Sequence, residues 1–586
     1  MPVLPFASSP RPAHMRIPTI SQDANPPLPG DSGYADDTND GDASGDKRKA
    51  HDEEPPVPSA SSRVTAWIWT LLIAVLGGAL RFVRLGSPRE IIFDETYYVK
   101  DAWTTLLTGE PRDWPKTVTF QNISQTVDSA FAAGDVHTWY PTAEYVVHPP
   151  VGKWLIAWGL ALFGGATNSF AWRASAAIAG TIGIVLLMRI VLRLFHDLPV
   201  AIIAGILISI DGEGIVLSRT GLLDIFIMTF VLGAFSLLLI HRDWARTRLR
   251  LRYRFDAHAR NASWVLRRTK DGVAPVLDAR GPLLAFSWWR VGAAVLLGLA
   301  TGVKWSGIYF FAVFCVISVL WDAWERRQAG YRGWLGTGLF SGLVTAVIMV
   351  PIWAITYLAD WFGWFIHPDS YMHDWAALHP GEGVTWLPAS VRSFVQYHVQ
   401  MWHFHTTLDS PHPYKANPLT WPLQLRPTSF YWEKLQGHPG LCALKPQSDC
   451  VAAVTSLGNP LIWWLGSLCV IVAIVIAIIA AVRGHGDWRI WAVLAGFLGG
   501  WLPWAQYLHR TTFTFYSIVI LPWIVLSICY IAHWLHTRIS ATPWRVSIVF
   551  VMTIIMLVSA FFYPIWTAMP VPYEFWLSHM WLHSWI

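Results

Sequence analysis

The feature that most limits what this chain can become is a series of long apolar runs, each ended by arginines or a polar loop, between residues 64 and 563. A helix needs about 20 apolar residues to cross a bilayer core. Inside that core only helices and closed barrels satisfy their own backbone. Runs at 64–82, 171–194, 199–213, 222–240, 289–303, 305–321, 334–357, 460–482, 489–505, 513–532 and 544–563 predict eleven spanning helices. The composition agrees. The 586 residues are 54% hydrophobic and 14% charged, too apolar for a soluble protein of this size, and 37 tryptophans suit many membrane–water interfaces. The expected class is an all-α polytopic membrane protein.

Charge sets the orientation. The stretch 241–290 holds twelve Arg or Lys against four Asp and reads as cytoplasmic. Glu325-Arg326-Arg327 with Arg332, and the loops 483–489 and 536–545, fall on the same side. The loop 358–459, with five basic against seven acidic residues, reads as outer, and so does the polar connection 86–170. Within the latter, 154–165 is apolar but short and is read as a helix at the interface. If it crossed, the twelve-cation loop would lie outside. The N-terminus is then inside and the C-terminus outside. Residues 1–62, rich in Pro, Ser, Asp and Gly, read as a disordered cytoplasmic tail, and the lack of an early apolar run argues against a cleavable signal peptide. The net charge of +5 sits in loops and implies no nucleic-acid partner, although the basic loop 241–290 can meet anionic lipid headgroups. Cys315, Cys469 and Cys529 read as core residues, while Cys442 and Cys450 are free to pair if their loop faces an oxidising compartment.

This topology gathers the unusual charges on one side. Arg81 and Arg84, Arg173, Arg219 with Asp224, Lys304, and His509-Arg510 stand at outer helix ends, and Asp94-Glu95, His148 and Lys153 lie in the first outer loop. If 94–101 is helical, Asp94, Tyr98 and Asp101 share a face. One cation at a helix end is ordinarily a snorkelling or paired residue. Six on one rim beside a carboxylate pair favour a site for an anion carried by a lipid. A sugar on a lipid phosphate leaves as an anion and needs no general acid. It needs positive charge where negative charge grows, and the incoming hydroxyl needs a carboxylate to take its proton. Asp94 or Glu95 fits the base; Arg173, Lys304 and Arg510 fit the phosphate side. No sugar nucleotide or other cofactor is called for; a divalent metal is not indicated by these residues, and metal dependence stays open.

The same residues resemble signatures of the protein O-mannosyltransferases. They are Phe93-Asp94-Glu95-Thr96-Tyr97-Tyr98 with Lys100-Asp101-Ala102, and His148-Pro149-Pro150-Val151-Gly152-Lys153-Trp154. Trp172-Arg173, Ser218-Arg219 with Leu223-Asp224, and Gly298 to Trp305 follow in family order, then His509-Arg510-Thr511 through Phe515-Tyr516 and Pro522. The resemblance implies a GT-C glycosyltransferase fold. It implies transfer of mannose, with inversion, from polyprenyl phosphate mannose to Ser or Thr of exported proteins, with the secretion translocon as a candidate partner. By that analogy Asp94 is the base and Glu95 supports the acceptor or the base. Arg173, Lys153, Lys304, Arg510 and Arg81 lie toward the donor phosphate, with Tyr98, His148, Arg219, Asp224 and His509 in support. The loop 358–459 is too short for the MIR repeats of eukaryotic members, which implies the bacterial, actinobacterial type at the plasma membrane. A related GT-C transferase acting on a lipid or polysaccharide would share the base and the phosphate site. A transporter would show mid-span charges and paired repeats, which are not seen.

The remaining motifs read as structural. His367, His373, His379, His398, His403, His405, His412 and His438 make a polar interfacial loop with no closed metal-ligand set, and 390–408 reads as a helix lying on the membrane. Gly77-Gly78 and Gly499-Gly500 read as close helix contacts. The sequon Asn261-Ala262-Ser263 falls in the cytoplasmic loop and is set aside.

Overall fold

The computed structural model describes residues 59–586 apart from 121–122, 262–265, 270–271, 276–280, 332 and 484–485. Residues 1–58 of the expected tail, and Ala262-Ser263 of the sequon, lie outside the described residues. Each of the eleven predicted segments forms helix. They are α1 (Ala60–Phe82), α4 (Ser169–Phe195), α5 (Leu198–Ile210), α6 (Asp224–Asn261), α7 (Trp288–Val303), α8 (Gly307–Gln328), α9 (Trp334–Asp360), α11 (Pro460–Val482), α12 (Trp488–Gly500), α13 (Leu521–His536) and α14 (Ala541–Trp566). Between them stand α2 (Glu95–Thr108), α3 (Val151–Phe163) and α10 (Ala389–Thr407). Among the described residues, eight helices are long and apolar enough to cross a membrane; α3, α5 and α7 are apolar but shorter.

The ends follow local chemistry. Asn168, Asp197, Ser287, Asn459 and Asp487 each cap the helix that follows by accepting a backbone N–H of its first turn. Gly109 and Gly164 close α2 and α3 in the left-handed conformation. At the centre α4 packs on α1, α3, α5 and α6. Small residues allow this approach: a Cβ on Gly77 would lie 2.5 Å from Ile184 Cδ1, and one on Gly180 would lie 2.0 Å from Ser218 Oγ.

Three local features differ from the sequence reading. First, α6 does not stop at 240 but runs to Asn261, through the first half of the basic stretch. Arg and Leu are good helix formers, and the Arg242–Glu325 ion pair ties this extension to α8. Second, the outer loop contains a sheet. Strands β1 (Thr428–Leu435) and β2 (Cys450–Ser456) pair antiparallel, closed by the Cys442–Cys450 disulfide. After the last span, β3 (Val571–Pro572) returns to pair with β2, so the chain end and this loop share one side. Third, the chain between α12 and α13 is not continuous helix. Two 3-10 turns, Leu502–Tyr507 and Thr514–Ile520, flank an irregular stretch that carries Arg510.

Candidate active site

The site is built on the connection between α1 and α2, which three buried arginines hold in place. Arg81, in the last turn of α1, donates to Ser218 Oγ (3.1 Å) and to the carbonyls of Gly77, Ile208 and Ser209. Arg219 donates to the carbonyls of Arg81 (2.8 Å), Val83 (2.7 Å) and Arg84 (2.9 Å). Arg173, on α4, reaches the carbonyls of Leu85 (3.3 Å), Pro88 (2.8 Å) and Glu90 (3.0 Å) and grips both Glu95 oxygens at 2.7 and 2.8 Å. A guanidinium has five N–H groups, and in Arg173 all five are used. Glu95 is equally committed: its carboxylate also accepts the N–H groups of Ile92 (3.1 Å) and Gly221 (2.8 Å), and its side chain is 0% exposed.

Asp94 is the opposite case. Phe93, with φ of 48°, occupies the left-handed region that bulky residues avoid. It is held there by a stacked contact with Phe430 (4.6 Å between centroids) and edge contacts with Phe515 and Phe513. This turn sets Asp94 at the N-terminus of α2, partly exposed, without a cap bond. Burial raises its pKa to about 6, with Lys304 opposing the shift and Asp224 adding to it.

Lys304 follows α7 directly and meets both oxygens of Asp224, the first residue of α6, at 2.8 and 2.9 Å. Its ammonium stands 4.7 Å from the Tyr516 ring centroid. Both members of the pair line a cavity of about 550 Å³ whose other walls include His148, Tyr309, His405, Trp504, Arg510 and Tyr516. Gly499 and Gly500 form part of the wall against Phe310, where a Cβ would come within 2.9 and 2.7 Å of its side chain. Arg510 lies over Trp504, its Nε is buried without a partner among the described residues, and His405 Nδ1 is its hydrogen-bond partner at 3.3 Å.

Lys304, Asp224, His148 and Arg510 therefore meet at one cavity, with Asp94 in electrostatic reach of two of them. Other residues expected at the site have partners within the chain. Arg173 and Arg81, expected at the donor phosphate, have their donors taken by the chain itself, as does Arg219. Glu95, expected beside the base, is neutralised by Arg173. Lys153, also expected at the phosphate, is buried, donates to the His148 carbonyl at 3.0 Å and lies 3.8 Å from Asp101. Tyr98 is buried with its ring 6.1 Å from His148. His509 is exposed and turned toward the Thr406 carbonyl. The sequence reading missed His405, Tyr309 and Tyr516 as wall residues. For His405 the signal was there: His398, Trp402 and His405 recur at helical spacing and share the face of α10 that lines the cavity.

Two family models match the chain, the C-terminal four TMM region of protein-O-mannosyltransferase over residues 390–585 and dolichyl-phosphate-mannose-protein mannosyltransferase over 147–251. The polyprenol-phosphate-mannose–protein mannosyltransferase of Mycobacterium tuberculosis is 32% identical over 566 residues, covering 92% of this chain and 98% of its own. The chain belongs to the protein O-mannosyltransferase family. The enzyme of the same name from Corynebacterium glutamicum is 29% identical over 549 residues, covering 91% and 96%. The GT-C fold is shared with the S. cerevisiae protein O-mannosyltransferase Pmt1-Pmt2 complex bound to the sugar donor, at a TM-score of 0.64 and 12% identity over 89% of this chain and 93% of that one. In this mannosyltransferase the signature residues divide by position: some tie the loops together, and a smaller set borders the cavity.

Proposed function

We propose that this membrane enzyme transfers mannose from polyprenyl phosphate mannose to Ser or Thr hydroxyls of exported proteins, at the outer face of a bacterial plasma membrane. The observation that carries the assignment of roles is a division among the charges. The Arg173–Glu95 pair is saturated, whereas among the described residues Asp94 has an unbonded carboxylate and Arg510 has N–H groups to spare. Asp94 takes the proton of the acceptor hydroxyl as its oxygen attacks the anomeric carbon. The bond to phosphate breaks on the opposite side, so the product is inverted. Arg510 stands where the leaving phosphate gathers charge, and Lys304, paired with Asp224, lines the same cavity beside it. No step needs a metal or other cofactor. Support for the outer face comes from the disulfide in the loop 358–459, from the pairing of β3 with that loop, and from the cation excess of 241–290. Acceptors would reach the site as extended chains leaving the translocon.

The test is a membrane assay with labelled polyprenyl phosphate mannose and a Ser/Thr-rich peptide. Label is expected on the peptide, with the rate unchanged by EDTA. Label on lipid alone would move the acceptor to a lipid or polysaccharide, and a rate abolished by EDTA and restored by a divalent ion would overturn the metal-free mechanism. Orientation has its own measurement. Tyr97 and Leu251 are 57% and 62% exposed, so cysteines placed there can be labelled. Tyr97→Cys is expected to react with an impermeant maleimide on intact cells, and Leu251→Cys only after permeabilisation. Labelling of both from outside would break the topology.

A further inference from the structure

His405 lies in the last turn of α10, within the stretch 390–585 that the C-terminal family model matches, and it joins three separated parts of the chain. Its Nε2 is 2.7 Å from the carbonyl oxygen of Val147, in the first outer loop. A carbonyl can only accept, so Nε2 carries the hydrogen. In a neutral ring Nδ1 is then a bare lone pair, and it faces Arg510 Nη2 at 3.3 Å. The ring is held on both sides, stacked on His148 (centroids 5.1 Å apart, 22° between planes) and against Trp305 at 5.6 Å. Burial and the facing cations Arg510 and Lys304 push its pKa down to about 4, so the ring stays neutral where Asp94 titrates.

Arg510 differs from the three clamping arginines. Among the described residues its side chain has this imidazole as its one hydrogen-bond partner, while its Nε is buried and unbonded at the cavity wall. A guanidinium with spare donors swings unless one of them is tied, and a mis-aimed cation loses much of its effect on a developing charge.

We infer that His405 is a positioning residue: as a neutral imidazole of fixed tautomer it accepts from Arg510 and aims the free N–H groups of that guanidinium at the donor's phosphate. The inference rests on the mannosyl-transfer reading for the identity of the anion, but not for the geometry. Histidine suits the task better than a carboxylate. A carboxylate would neutralise Arg510, whereas an imidazole orients it and leaves its charge available to the phosphate.

Three substitutions separate aiming from packing. His405→Asn places an amide oxygen near the Nδ1 position and keeps an acceptor for Arg510. His405→Gln reaches the Nε2 position and keeps the Val147 bond but offers Arg510 no acceptor. His405→Phe keeps the flat ring and loses both bonds. Losing a hydrogen bond to a charged group costs about tenfold or more in binding. The Gln and Phe variants are therefore expected to raise the donor KM about tenfold, the Asn variant no more than about threefold, with the acceptor KM within about twofold in all three. In an Arg510→Gln background, His405→Phe is expected to add less than about twofold. Binding of polyprenyl phosphate to the purified protein, measured directly, is expected to follow the same order. An Asn variant as impaired as Phe would assign the loss to packing, and losses that multiply with Arg510→Gln would show that His405 does not act through it. Either result overturns the inference. A wild-type protein that labels no peptide would defeat the functional reading, while the polyprenyl phosphate binding series would still decide the role of His405.

Discussion

Asp94→Asn is expected to lower the rate of mannose transfer by about 10²–10⁴-fold, the range for a general base, while the protein accumulates in membranes at the wild-type level. The two halves of this expectation have one cause. The Asp94 carboxylate has no hydrogen-bond partner among the described residues, so an amide in its place breaks nothing in the fold and removes only a proton acceptor. The same isolation shapes the pH profile. Burial raises the Asp94 pKa to about 6, and the base works only when deprotonated. The wild-type rate should therefore be level above about pH 7, about half-maximal at pH 6, and about a tenth of the plateau one unit below. The measurement is initial rate against pH at saturating donor, with an anti-tag blot for protein amount. An Asn variant retaining more than about a tenth of the wild-type rate would remove the base from position 94, and a rate that rises on acidification would reverse the assigned protonation state.

The distinction between Asp94 and its neighbour Glu95 marks how far the sequence can be read. Placement along the chain was legible, because spanning helices are a property of composition over about 20 residues. The signature residues were legible as a group, because charges at helix ends on one side are unusual. The duties within the group were not. Whether an arginine offers its five donors to a ligand or spends them on carbonyls depends on where distant turns lie, and Arg173 is bound by residues about 80 positions away. The pairing of Lys304 with Asp224 likewise spans 80 positions. The strands β1 and β2 were missed because β2, buried at every position, lacks the two-residue alternation of a half-exposed strand. The extension of α6 is hidden in the sequence because a run of charge reads as a loop, although arginine is itself a good helix former.

Arg173→Ala is expected to fail at an earlier stage than Asp94→Asn. The substitution leaves the Glu95 carboxylate, 0% exposed, without the cation that neutralises it, and removes donors from the carbonyls of Leu85, Pro88 and Glu90. Removing one partner of a buried ion pair costs about 3–5 kcal/mol, and unsatisfied carbonyls add to that. The stretch that loses its support is the one that aims Asp94, so activity and folding should fail together. The expected result is a sharp fall in membrane level and in thermal stability after extraction, with little transfer activity per molecule recovered. Arg173→Lys keeps the charge but has three donors in place of five and no fork to match both Glu95 oxygens; it should fall between. Glu95→Gln is expected to resemble the alanine variant, because its amide N–H₂ would face guanidinium donors. A different arrangement would leave a different trace. If Arg173 served the donor phosphate directly, its alanine variant would fold normally, melt with the wild type and show only a raised donor KM. That outcome would return Arg173 to the phosphate and leave Glu95 as a second candidate for the base.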